Sequence, residues 1–107
     1  VKRGEVRWYT FKDPDKRKPV LVLTRNTALS FLTAVTVAPI TTTIRKIPSE
    51  LYLDQEDGLS ESCAANFDNI FTVPKTHVDD LITTLSFEKM LEAEKAIRFA
   101  LGFVGLV

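Results

Sequence analysis

Apolar and polar residues alternate through most of this chain with the two-residue period of β-strands; a helical stripe appears only near its end. Glu5 to Phe11 (EVRWYTF) sets Val6, Trp8 and Thr10 on one strand face and Arg7, Tyr9 and Phe11 on the other. Trp8 is expected in the core. Lys12 to Lys18 (KDPDKRK) predicts a turn, with Asp13-Pro14-Asp15 supplying the turn chemistry. Pro19 to Arg25 (PVLVLTR) is almost wholly apolar, which predicts a central strand buried on both faces. Thr27 to Phe31 has room for one helical turn.

Leu32 to Thr43 (LTAVTVAPITTT) begins as a strand and ends as a rim of hydroxyls. Pro39 cannot donate to a ladder, so pairing should weaken there. Thr41 to Ile47 predicts a loop from which Arg45 and Lys46 project. Glu50 to Asp54 alternates as a half-exposed strand, and Gln55 to Gly58 reads as a turn. Ser62 to Phe67 and Ile70 to Val73 form one strand, or two broken near Asp68-Asn69. A connection over Pro74 to Val78 leads to a short strand, Leu81 to Leu85. Ser86 is a good N-cap with Glu88 in the first turn. Phe87, Met90, Leu91, Ile97, Leu101 and Val104 lie near one stripe, predicting a closing helix to about Gly102. Several strands followed by one long helix imply a mainly β, α+β fold: a strongly bent sheet or small barrel.

At 107 residues, 45% hydrophobic and 26% charged, the chain has the composition of a soluble domain with one modest core, expected to span residues 1–107. No apolar run is long enough to cross a membrane, and no signal peptide is expected from the charged start. The lone cysteine, Cys63, excludes an internal disulfide framework and predicts a cytoplasmic setting. With one His and one Cys, a His/Cys metal site is not expected, nor is a cofactor. Charge does change the picture. The net charge is zero, yet residues 1–46 hold ten Lys or Arg against three acids, and residues 47–107 hold four against eleven. A local basic surface is what an anionic polymer requires.

Three segments in order, RGEVRW, KPVLVLTRN and LTAVTVAPITTT, with a later CAANFDNIFTVP, make the chain resemble the MazF/PemK family of toxins from Arg3 to about Phe103. The resemblance implies an SH3-like barrel with a C-terminal helix. It also implies a metal-independent endoribonuclease that cuts single-stranded RNA sequence-selectively through the substrate's 2′-hydroxyl. The implied products are a 2′,3′-cyclic phosphate and a 5′-hydroxyl, and the implied partners are a second copy in a homodimer and a cognate MazE-like antitoxin.

The resemblance also assigns residues. The family's key Arg precedes the Pro of an R-P-V segment; Lys18 stands there, after Arg17. Lys keeps the charge but loses the planar fork that suits a phosphate. Arg17 offers a fork one residue earlier, although neighbours in extended chain point opposite ways. Thr41 aligns with the family hydroxyl that holds the scissile phosphate, with Thr42 and Thr43 as neighbouring contacts. Asp68 matches a proposed general base, but the Arg that lies two residues earlier in those relatives is Asn66 here. Arg25, Arg45 and Lys46 complete the expected RNA-binding set. Two alternatives stand beside the ribonuclease. One is a CcdB-like toxin that binds gyrase, whose C-terminal Trp-Gly-Ile is missing here. The other is a catalytically inactive MazF-like binding protein, which Lys18 and Asn66 would explain.

Overall fold

The computed structural model describes residues 1–11 and 16–103. The Asp13-Pro14-Asp15 turn and the stripe residue Val104 lie outside the described residues. The strands are β1 (Glu5–Thr10), β2 (Arg17–Val22), β3 (Ala34–Thr41), β4 (Glu50–Leu53), β5 (Cys63–Asn66), β6 (Phe71–Pro74) and β7 (Val78–Thr84). The helices are α1 (Asn26–Leu29) and α2 (Phe87–Ala100). Two expected boundaries move. Arg17 and Lys18 belong to β2 rather than to a turn, and the last strand begins at Val78 rather than Leu81.

All the strand pairs are antiparallel, in the order β4-β5-β3-β2-β1-β7, with β6 on β3 as well. On one edge β3 pairs with β2; on the other it pairs first with β6 through Ala34–Val37, then with β5 through Ile40 and Thr41. Pro39, with no N–H to give, lies in the gap where β3 changes partner. Between β5 and β6 runs a 3-10 turn, Phe67–Asn69, so the CAANFDNIFTVP segment is two strands.

The mainly β fold with a C-terminal helix is as expected, but the ladder does not close into a barrel among the described residues. Its two edge strands, β4 and β7, do not pair. Instead the turn after β4 is tied across by a side chain: Thr83 Oγ1 donates to the Asp57 carbonyl at 3.0 Å.

Because β2 is central, both of its faces are buried. Leu21 joins Val6, Ala38, Ile40, Leu53 and Phe67 on the face that α2 covers. Val20 and Val22 join Val35, Val37, Val73 and Val78 on the other. This accounts for the unbroken apolar run of PVLV. Helix α2 is capped as expected, Ser86 Oγ accepting the Lys89 N–H at 3.1 Å. Its buried positions are Ala93 and Ala96, with Met90, Ile97 and Ala100 packed beside them. Small side chains let the helix approach the sheet closely. The other described stripe residues are displaced to the flank, where Phe87 is 75% exposed and Leu91 and Leu101 are also exposed. No helix among the described residues is long and apolar enough to cross a membrane.

Candidate functional site

The start of β2 and the end of β3 lie side by side, and the sequence sets cations on the first and hydroxyls on the second. Val20 pairs with Pro39. Lys18 and Thr41 each lie two residues beyond that pair, toward the same end of the two strands. Both residues line a cleft of about 250 Å³ whose floor is Pro19, Ile40 and Cys63. Trp8 and Arg17 form one wall; Thr42, Leu59, Ser60 and Glu61 complete the rim.

Pairing between β1 and β2 sorts the two cations. Thr10 faces Arg17, Tyr9 faces Lys18, and Trp8 faces Pro19. Cross-strand partners share a face, so Arg17 lies on the Trp8 side and Lys18 on the Tyr9 side. The Arg17 guanidinium sits over the Trp8 ring, 4.8 Å from its centroid. Trp8 is therefore half-buried at the cleft wall and not a core residue as expected. Arg17 also lies 3.8 Å from Asp80 Oδ2, but with the two side chains 46% and 91% exposed this pair is weak. Tyr9, by contrast, packs edge-on against Phe11 and Phe71, centroids 4.9 and 5.8 Å away.

Thr41 is half-buried, and its Oγ1 accepts the Thr43 N–H at 3.2 Å. Acting there as acceptor, the hydroxyl keeps its own proton to donate to another oxygen. Cys63 is buried at the floor. Burial, reinforced by Glu61, Asp57 and Asp54, pushes its thiol up to about 11. It is a neutral small hydrophobe at neutral pH rather than a nucleophile.

The structure does not bring every expected residue to this cleft. Asp68 is held outside it, its Oδ2 accepting the Ser49 hydroxyl at 2.6 Å and its N–H donating to Asn66 Oδ1 at 2.9 Å. Arg25 is exposed at the start of α1, in a separate groove. The Arg45 N–H donates to Glu50 Oε1 at 3.0 Å, and Lys46 takes a left-handed φ of 55° in the loop after β3. Thr43, Arg45 and Lys46 do not line the cleft. Sequence reasoning missed Ser60 and Glu61, which only the folding of the β4–β5 loop against β2 and β3 brings here. A larger groove of about 420 Å³ runs along α2 past Leu23, Phe87, Met90 and Leu91, with no hydroxyl among its lining residues.

Comparisons with known proteins place the chain in a family and a fold. The model of the family described as "PemK-like, MazF-like toxin of type II toxin-antitoxin system" matches residues 2–101. A probable endoribonuclease, MazF2 of Mycobacterium tuberculosis, is 39% identical over 103 residues, covering 95% of this chain and 99% of its own. The solved structure of M. tuberculosis toxin MazF-mt6 superposes with a TM-score of 0.83 at 34% identity, over 92% of this chain and 96% of that one. A mycobacterial endoribonuclease solved in complex with its cognate antitoxin gives a TM-score of 0.85 at 27% identity, over 95% of each chain.

Proposed function

The chain belongs to the PemK-like, MazF-like toxins of type II toxin–antitoxin systems, and from that premise we propose that it is an endoribonuclease working at the cleft between β2 and β3. The observation that carries this reading is the meeting of Lys18 and Arg17 with Thr41 around one small cavity. The substrate is single-stranded RNA. Its 2′-hydroxyl gives up its proton to water as the oxygen attacks the adjacent phosphorus, the bond to the 5′-oxygen breaks, and the departing oxygen takes a proton from water. The products are a 2′,3′-cyclic phosphate and a 5′-hydroxyl, with no metal needed. Negative charge grows on the non-bridging oxygens as the new bond forms. Lys18 and Arg17 stabilise that charge, and the Thr41 hydroxyl donates a hydrogen bond to the phosphate. Thr42 lies next along the rim as a neighbouring contact; Thr43, Arg25, Arg45 and Lys46 act at most on flanking nucleotides. Asp68, tied to Ser49, is read here as a structural residue.

The partners follow the same reading. A MazE-like antitoxin silences the protein by laying an acidic segment over the basic surface of the first half. The toxin itself is a homodimer, supported by the apolar flank that Phe87, Leu91 and Leu101 leave uncovered on α2. Its setting is the cytoplasm, where RNA and antitoxin meet. No observation favours the gyrase-binding alternative; the curated relatives are named as endoribonucleases.

The test is cleavage of a long unstructured RNA in excess chelator, with Thr41→Ala alongside. Cuts at a short recurring sequence, ending in cyclic phosphates and lost in Thr41→Ala, are the expected result. Equal cutting by both proteins removes Thr41 from the site. No cutting by either folded protein overturns the ribonuclease reading.

A further inference from the structure

We propose that Trp8 is a positioning residue that holds Arg17 in the cleft as the guanidinium fork for the scissile phosphate, the part that Lys18, a point charge, cannot play. This rests on the ribonuclease reading of the cleft. It starts from strand pairing: Arg17 lies across from Thr10, on the face of Trp8 and Pro19, while Lys18 lies across from Tyr9 on the other face. The two cations thus reach the cleft from different sides, and among the described residues Arg17 is the one seated over an aromatic ring there, at 4.8 Å.

Stacking on an indole leaves the N–H edge of a guanidinium free for two parallel hydrogen bonds to oxygen. It also restrains a side chain that would otherwise be drawn to carboxylates. Glu61 lines the same cleft, and Asp80 already lies 3.8 Å away. Asp80 is 91% exposed, so its hold is screened and gives way to a phosphate without Arg17 leaving the ring. The ring face under Arg17 is occupied, which makes Trp8 a support for the cation and not a platform for a base.

The experiment measures kcat and KM on one RNA substrate for the wild type, Arg17→Lys, Trp8→Leu, Trp8→Phe and the Arg17→Lys/Trp8→Leu pair. Expected is a fall in kcat of about 10²-fold for Arg17→Lys, the scale of losing one charge-stabilising donor, with KM little changed. Trp8→Leu lowers kcat about tenfold, because the fork is no longer held in its productive geometry. The pair is no worse than Arg17→Lys alone, since Trp8 acts through Arg17. Trp8→Phe restores most of the rate, and it carries the test should Trp8→Leu not fold. The proposal is overturned if Arg17→Lys stays within about twofold of wild type, an effect too small for a lost fork. It is equally overturned if the Trp8→Leu loss persists in the Arg17→Lys background. Because Trp8 is the chain's sole tryptophan, its emission gives a second readout. Binding of an uncleavable 2′-deoxy oligonucleotide should shift that emission in wild type and not in Arg17→Lys. A shift in a wild type that cuts no RNA keeps the phosphate fork and rejects the ribonuclease reading alone; no shift in a wild type that cuts RNA rejects the fork alone.

Discussion

The Ser49 hydroxyl, 2.6 Å from Asp68 Oδ2, locks the start of β4 to the 3-10 turn that follows β5. Ser49 is only 3% exposed, so its hydroxyl has no water to turn to when the carboxylate is removed. Asp68→Ala should therefore destabilise the protein by about 1–3 kcal/mol, the cost of a buried unpaired hydroxyl. Asp68→Asn, which keeps an acceptor oxygen, should cost less. Both should cut RNA within about tenfold of wild type under folding conditions, below the range for a lost general base. Urea melts and initial rates on the same preparations check this; a folded Asp68→Asn that is inactive would return Asp68 to the chemistry.

Lys18 stands where the resemblance to the family places an arginine, and it lines the cleft with Thr41. Lys18→Ala should lower kcat by about 10²–10³-fold through loss of charge stabilisation. Lys18→Arg should at least equal wild type, because the guanidinium presents two parallel donors in a fixed plane where the ammonium acts as a point charge. Single-turnover rates of the two variants decide it. An Arg variant as slow as the Ala variant would mean that the site is shaped for an ammonium.

Glu5 predicts acid sensitivity. Burial alone would raise its pKa, but the Arg7 side chain at 2.9 Å and the Lys2 N–H at 2.7 Å outweigh this and hold it below the usual carboxylate value. A lowered folded-state pKa stabilises the fold above the unfolded value of about 4.3, and that contribution is lost as pH falls through the folded value. Glu5→Gln should thus be less stable than wild type at neutral pH, with the gap closing below about pH 4. Urea midpoints across that range measure it; a gap that does not vary with pH would show that Glu5 matters only by shape.

Cys63 has the opposite sign. With its thiol raised to about 11, the folded state binds this proton more tightly than the unfolded chain does. Its contribution is complete below the unfolded pKa of about 8.5 and declines as pH rises toward the folded value. Iodoacetamide at about pH 8 should leave the native protein unmodified and alkylate it in denaturant, because the thiolate is scarce and buried. Intact mass before and after treatment reads the result, and rapid native alkylation would contradict the burial.

Gly58 closes the turn after β4 with a φ of +97°. A Cβ there would come within 2.3 Å of Thr83 Oγ1, the atom that bonds to Asp57. Gly58→Ala should lose about 1–3 kcal/mol from backbone strain, plus the displaced tie to β7. Adding Thr83→Ala should recover none of the φ strain, so the double variant should remain below Thr83→Ala alone in thermal denaturation.

Much of this architecture is readable from residue order. The period of two over Glu5–Phe11, the solid apolar run after Pro19 and the Ser86 cap each specify their element by local physics. Pro39 even marks where β3 changes partner. What the order of residues does not carry is register. Whether Arg17 or Lys18 shares a face with Trp8 depends on how the β1–β2 hairpin pairs, and a shift of one residue would exchange them. The same limit hid Glu61 and Ser60, loop residues placed by the packing of distant strands. The helix stripe held for Met90 and Ile97, which pack on the core, but not for Phe87, Leu91 and Leu101: close approach to the sheet selects Ala93 and Ala96 over larger neighbours, a matter of distance rather than periodicity. Asp68 resembled a catalytic carboxylate by position, and only the fold supplies Ser49 as its partner.

Lys18 and Thr41 stand on the two strands whose middles, Leu21 and Val22 beside Ala38 and Val37, are fully buried. Such a site has no melting point of its own. The amides at those strand middles should exchange with solvent only when the whole sheet opens, and activity should vanish no later than the fold. An off state has to be supplied from outside, by a partner laid across the cleft and later taken away, and the lifetime of that partner then sets when the enzyme acts.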